Sequence, residues 1–156
     1  GVDPYYLAYK SSKLKIDPKV ILSGRKTNDE MPTFISKRID EKLKRKSKIL
    51  FLGLTFKEDV PDLRNSKSFE IISFLQKKFH IIKQHVPFGK TKDSQVESLT
   101  KIKNNSFDAI ILAVPHKYYL KRMVFIKSLL KPDGIFFDIK GKIDINRDDN
   151  INYWTL

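Results

Sequence analysis

Lys48-Ile49-Leu50-Phe51-Leu52-Gly53-Leu54 is a short, almost unbroken apolar run that ends at a glycine. A segment with no polar face fits a strand covered on both sides, as in a parallel sheet. Downstream the period keeps changing. A polar loop over 55–65 leads into 66–78, where Phe69, Ile71, Ile72, Phe74 and Leu75 recur at helical spacing. Residues 80–84 read as a second short strand followed by a Pro87/Gly89 turn, and 94–103 as a small helix. Residues 107–114 are the clearest strand of the chain. Then come a helix over 118–130, a Lys131-Pro132-Asp133-Gly134 turn and a last strong strand over 134–138. Strands alternating with helices across 48–140 predict an α/β domain with an open, mostly parallel sheet.

Upstream of this run the pattern is helical. Asp3-Pro4 opens a short helix carrying Tyr5, Tyr6, Leu7 and Tyr9, with Asp3 placed to cap it, and Asp17-Pro18 repeats the start signal. Val20, Ile21, Met31, Phe34, Ile35, Ile39 and Leu43 then recur at steps of three and four. Pro32 falls inside that run, which predicts a kink or a break between two helices over 29–32. Such a stripe needs cover, and self-association through 18–43 would supply it. The chain therefore divides into a helical N-terminal segment, 1–46, and a Rossmann-like open parallel sheet, 47–156. Residues 141–156 are polar and end in Tyr153-Trp154, which suggests a loosely packed closing segment.

With 156 residues, the chain has room for one domain plus a helical appendage, and 40% apolar content supports a core. No apolar run approaches the roughly 20 residues that cross a bilayer, and Gly1-Val2-Asp3-Pro4 is no signal peptide, so a cytoplasmic location is expected, with no membrane partner. The missing initiator Met suggests a start inside something longer. There is no cysteine, hence no disulfide, thiolate metal site or thiol nucleophile in these residues. A formal charge of +13 raises the question of a polyanion partner. Only 37–48 is densely basic, however, and it lacks interleaved aromatics. It reads as the solvated end of a helix, and no nucleic acid is expected as partner.

In an open parallel sheet, ligands gather past the carboxyl ends of the strands. The connection over 53–66 lies there and is too long and charged to be a minimal link. It has neither the glycines of a dinucleotide fingerprint nor those of a P-loop. Its cations, Lys57 and Arg64, suit phosphate oxygens; alternatively Arg64 pairs with Asp59 or Asp62. Lys140, after the last strong strand, reaches the same rim, although an ordinary exposed lysine is the plainer reading. His116 is a third rim residue, of a type that more often caps or packs than catalyses. His80 and His85 have no second ligand at metal spacing, so no metal is expected.

Gly53-Leu54-x-Phe56-Lys57-x-x-x-x-Asp62-x-Arg64-x-Ser66 resembles the signature that opens the C-terminal, UDP-binding domain of the UDP-glucose/GDP-mannose dehydrogenase family. Other segments agree in order. Gly1-Val2-Asp3-Pro4-Tyr5-Tyr6-Leu7 resembles the stretch just after the catalytic cysteine in the bacterial branch acting on UDP-N-acetylhexosamines, and Arg25-x-x-Asn28-Asp29 the long central-domain helix that joins two subunits. Residues 108–114 with His116, and Asp138-Ile139-Lys140-Gly141, follow.

The resemblance implies a two-step, NAD-dependent oxidation of a sugar C6 alcohol to a uronate, for capsule or surface polysaccharide synthesis. In the family a cysteine holds the aldehyde stage covalently. Asp3 matches the aspartate that assists water activation or proton transfer. Phe56 and Lys57 match the pair that contacts the UDP-sugar, and Lys140 a basic residue on the nucleotide-sugar. Arg64 matches an arginine reaching the NAD side of the cleft, and a homodimer through 18–43 is implied.

The departures are as informative. The cysteine would precede Gly1 by two positions, and the NAD-binding domain is not in this sequence. Val86-Pro87 stands where the family has Asp-Pro, and Val2 stands where the glucose-specific branch has lysine. The expectation is the C-terminal portion of a UDP-sugar 6-dehydrogenase, inactive by itself. The alternatives are a non-catalytic nucleotide-sugar-binding module or a basic nucleic-acid-binding domain.

Overall fold

The computed structural model describes residues 3–88, 98–144 and 151–156. Two helices lead, α1 over Asp3–Lys13 and α2 over Lys19–Lys42. An α/β unit follows, in the order β1 (Lys48–Leu52), α3 (Ser68–Lys77), β2 (Ile81–His85), a 3-10 turn (Leu99–Lys101) and β3 (Phe107–Leu112). It closes with α4 (Lys117–Leu120), α5 (Met123–Ser128), β4 (Leu130–Asp138) and β5 (Asn152–Thr155). The strands form one sheet in the order β2-β1-β3-β4-β5, every pair parallel. The chain leaves β1 toward one edge and returns at β3 on its other side, so the switch point of the topology lies between β1 and β3.

The unbroken apolar run of β1 has the predicted cause. Ile49 and Phe51 face a core shared with Ile35 and Ile39 of α2 and with Ile71 and Leu75 of α3. Leu50 and Leu52 face the opposite core, with Tyr119, Ile126 and Leu129. All four are fully buried. The aligned partners Leu52↔His85, Leu52↔Leu112, Leu112↔Asp138 and Asp138↔Thr155 make one rim of carboxyl ends.

Several expectations need correction. α2 continues through Pro32 as one helix. An Arg25–Asp29 pair at 3.3 Å staples the turn before the proline, and the buried Pro32, Ile35 and Ile39 fix the turns after it. The helix predicted over 118–130 is two short ones. Arg122 supplies the reason: its side chain bonds the Tyr118 carbonyl at 3.2 Å, the acceptor its own amide would use in a continuous helix. That amide turns to Tyr119 instead.

The turn predicted at 131–134 lies inside β4, where the pairing jumps from Phe107↔Leu130 to Ala109↔Ile135, an irregularity of bulge type. The closing segment is not loose where it is described. It adds β5, with Trp154 beside Phe137 and the Tyr153 hydroxyl bonded to Asp138 at 3.0 Å. Of the small helix over 94–103, the described residues 98–103 hold only the 3-10 turn; 94–97, with Gly1, Val2 and Gly89, lie outside the described residues.

Apolar cover is uneven. In α2, Ile35 and Ile39 are buried, whereas Val20 is 86% exposed and Leu22 and Phe34 are also exposed. Tyr6, Leu7, Leu14 and Ile16 add to the same uncovered end of the molecule. No helix among the described residues is long and apolar enough to cross a membrane.

Candidate functional site

The loop after β1 starts with a forced step. Gly53 has φ +91, and a Cβ there would lie 2.6 Å from both the Cβ and the carbonyl oxygen of Val114. β1 and β3 can approach this closely only without a side chain, and the approach sets the loop over the rim.

Backbone and side-chain hydrogen bonds then fold the loop on itself. The Phe56 amide donates to the Asp62 carbonyl at 2.7 Å. Ser66 Oγ donates to the Thr55 carbonyl, and Ser68 Oγ to the Gly53 carbonyl. Thr55, itself buried, donates to the Lys57 carbonyl at 2.9 Å. Asp59 and Asn65 take left-handed backbone conformations, φ +56 and +57, which short polar residues tolerate best.

His116 sits beneath the loop, fully buried. Its Nε2 lies 3.0 Å from Thr55 Oγ1, and its Nδ1 accepts the Asp59 amide at 2.9 Å. The Asp59 carboxylate receives the Lys117 amide at 3.0 Å. A second buried histidine, His85, meets the Tyr119 hydroxyl at 3.0 Å, while that hydroxyl donates to the His85 carbonyl at 2.8 Å.

The residues singled out by sequence are placed differently from one another. Lys140 comes to the loop: its ammonium meets Glu58 at 2.5 Å across 82 residues of chain, and this hydrogen bond foremost holds the Glu58 carboxyl below its usual range. Lys57 and Phe56 are exposed on the same loop, and Lys57 has no ion-pair partner among the described residues. Arg64 takes the alternative raised for it. Its Nε and a terminal nitrogen grip the Asp62 carboxylate, both at 2.9 Å, and with the Arg64 amide they lower that carboxyl to about 2. The guanidinium remains 86% exposed.

Asp3 begins α1, outside this cluster. α1 reaches the α/β unit through a polar relay that sequence alone did not show: Arg25 to the Tyr5 hydroxyl at 2.6 Å, then Asp29 to Lys67 at 3.2 Å, just ahead of α3. No group of three or more metal-ligating side chains occurs among the described residues. His80 is bonded to Asp40 at 3.0 Å.

The buried histidines set a pH dependence. Burial foremost, then the nearby His116, pulls His85 down to about 4. His116 is lowered too, again by burial, against the opposing pull of Asp59 and Glu58. Unfolded histidines take a proton near pH 6.5, which these folded ones refuse. The stability that His85 contributes is therefore full above about 6.5 and lost as pH falls toward 4, at about 1.4 kcal/mol per pH unit, and His116 adds to it in the same direction. Urea midpoints compared at pH 7.5 and pH 5 check this. A flat profile between them would contradict a neutral, buried His85.

Comparison with known proteins now adds to the geometry. Residues 50–145 match the UDP-glucose/GDP-mannose dehydrogenase family, UDP binding domain. The chain is 36% identical over 154 residues to Protein CapL of Staphylococcus aureus, covering 92% of this chain and 36% of that protein. It is 34% identical to the UDP-N-acetyl-D-glucosamine 6-dehydrogenase of Pseudomonas aeruginosa, covering 96% and 38%. Among solved structures, the UDP-N-acetyl-mannosamine dehydrogenase Cap5O from S. aureus superposes with a TM-score of 0.74 at 22% identity, covering 99% of this chain and 36% of that one. A GDP-mannose dehydrogenase ternary complex from P. aeruginosa gives 0.74 at 19%, covering 97% and 37%, which shows the shared fold. The chain spans a little over a third of the length of these relatives.

Proposed function

Because this chain belongs to the UDP-glucose/GDP-mannose dehydrogenase family, we propose that its sheet rim binds the diphosphate and sugar of a UDP-N-acetylhexosamine. The observation that carries this reading is the Lys140–Glu58 contact, which brings the segment after β4 onto the loop after β1, beside the switch point of the sheet. Open sheets gather nucleotides at that point. Lys57 and Lys140 supply the cations for the diphosphate, and Phe56, 49% exposed, supplies an apolar wall for the ligand.

In the oxidation we assign to the whole enzyme, the sugar C6 alcohol becomes a carboxylate for surface polysaccharide. NAD, bound twice in turn, would accept the two hydrides that this four-electron oxidation releases, and water would supply the second carboxylate oxygen. Among the described residues of this chain the group assigned to the NAD side is Arg64, whose exposed guanidinium would exchange Asp62 for a phosphate. Asp3 assists the proton transfer. These residues hold no cysteine, so the thiol of the covalent stage is not among them.

We divide the chain into the remnant of a central helical domain, 1–46, and a UDP-binding domain, 47–156. The uncovered apolar residues of α1 and the first half of α2 make the homodimer contact. Sedimentation at rising concentration should give a dimer that Val20→Glu with Tyr6→Glu returns to monomer. A monomer throughout removes the contact.

Calorimetric titration tests the function. UDP and UDP-N-acetylglucosamine should each saturate one site per chain at physiological salt. Salt-steep, sequence-blind binding of duplex DNA without nucleotide binding would overturn it in favour of a basic nucleic-acid binder.

A further inference from the structure

His116 has a set of bonds with a single consistent proton arrangement. A backbone amide only donates, so the Asp59 N–H at 2.9 Å makes Nδ1 an acceptor. The proton of the neutral ring is then on Nε2, where it meets Thr55 Oγ1 at 3.0 Å. The threonine hydroxyl in turn donates a hydrogen bond to the Lys57 carbonyl at 2.9 Å. Three positions of the loop, 55, 57 and 59, are thereby tied to one ring.

The ring itself has little freedom. Tyr119, fully buried, lies against it at 5.6 Å between ring centroids, and Phe88 meets it edge-on at 5.5 Å. Position 116 opens α4 directly after β3, so the ring is fixed to the central strand of the sheet. Between the three tied positions stand Phe56 and Glu58, with Lys57 presented outward, and Glu58 in turn holds Lys140.

We infer that His116 is a positioning residue, a buried clasp whose neutral, Nε2-protonated ring holds Thr55, Lys57 and Asp59 in the shape that presents Lys57 to a nucleotide diphosphate. For its ligand the inference rests on the binding reading above; for the clasp itself it does not. Thr55 is the second half of the device, because it alone converts the ring's N–H into a bond to the Lys57 carbonyl.

The experiment combines nitrogen-15 spectra of the imidazole, amide exchange and calorimetry with UDP, on the 156-residue chain. At pH 7.5 the His116 ring should carry its proton on Nε2, and a proton on Nδ1 would overturn the clasp. His116→Phe keeps a planar aromatic ring at the position but removes both nitrogens. It should speed exchange of the Asp59 amide at least tenfold while Ile110 and Ile111 in β3 stay protected. Thr55→Val, nearly isosteric, should weaken UDP binding about tenfold, and Thr55→Ser should restore it.

Unchanged Asp59 exchange in a folded His116→Phe chain, or unchanged UDP affinity in Thr55→Val, would overturn the proposal. If His116→Phe does not fold, the ring tautomer and the Thr55 pair still decide. If the unaltered chain binds no UDP, the binding reading fails, and the tautomer with Asp59 exchange judges the clasp by itself.

Discussion

Gly53→Ala is expected to destabilise the fold by about 3–5 kcal/mol and to remove nucleotide binding with it. Two costs add. The residue sits at φ +91, where an L side chain is strained, and its new Cβ would lie 2.6 Å from the Val114 carbonyl oxygen and 2.7 Å from the Val114 amide nitrogen. Those are backbone atoms of the segment that leaves β3, so no rotamer change relieves the overlap. Relief requires the ends of β1 and β3 to part, at the point where the loop over the rim begins.

An internal control is available. A Cβ on Gly24, on the exposed face of α2, meets nothing within 4 Å. Gly24→Ala should therefore stabilise by about 0.5–1 kcal/mol through helix propensity. Urea unfolding of the two variants measures both signs. A Gly53→Ala chain as stable as the parent would mean that the close β1–β3 approach is not what shapes the loop.

The second large effect is on binding. Lys57→Ala and Lys140→Ala should each weaken UDP about 10- to 100-fold, the loss expected for one charge-assisted bond to a phosphate. The two lysines differ in their resting state. Lys57 has no ion-pair partner among the described residues, whereas Lys140 is engaged by Glu58. Glu58→Gln removes a competing carboxylate and should therefore tighten UDP by a few-fold, opposite in sign to both lysine changes. Calorimetry on the three variants reads the pattern. Equal small losses in all three would describe a diffuse charge effect and leave neither lysine a role at the diphosphate.

The sheet was legible because its three central strands are local apolar runs. Ile49 to Leu52, Phe107 to Leu112 and Ile135 to Phe137 need no knowledge of the rest of the chain. β5 was not legible, since none of its four residues is fully buried and its place is fixed by remote partners, Phe137 for Trp154 and Asp138 for Tyr153. Desolvation first, and then the Asp138 bond, push the Tyr153 phenol up to about 12. The break between α4 and α5 was invisible because it depends on one side chain, Arg122, taking a carbonyl that helix periodicity assigns to the backbone.

At the site, the long charged loop pointed to the rim. The Arg64–Asp62 grip was readable from a separation of two residues. The His116–Thr55 contact spans 61 residues and joins two types that look like ordinary packing, so only the fold reveals it.

The account depends on where a nucleotide diphosphate lands. The chain has a basic concavity of about 590 Å³ at the opposite end of the strands, lined by Lys42, Lys44, Arg45, Lys46 and Lys131 among others. An amide-resolved nitrogen-15 spectrum recorded during a UDP titration separates the two directly. The account predicts saturable shifts over 53–66, at Lys117 and over 138–141, with 42–46 and Lys131 unmoved. Shifts confined to the basic concavity, or none at millimolar UDP, would contradict it.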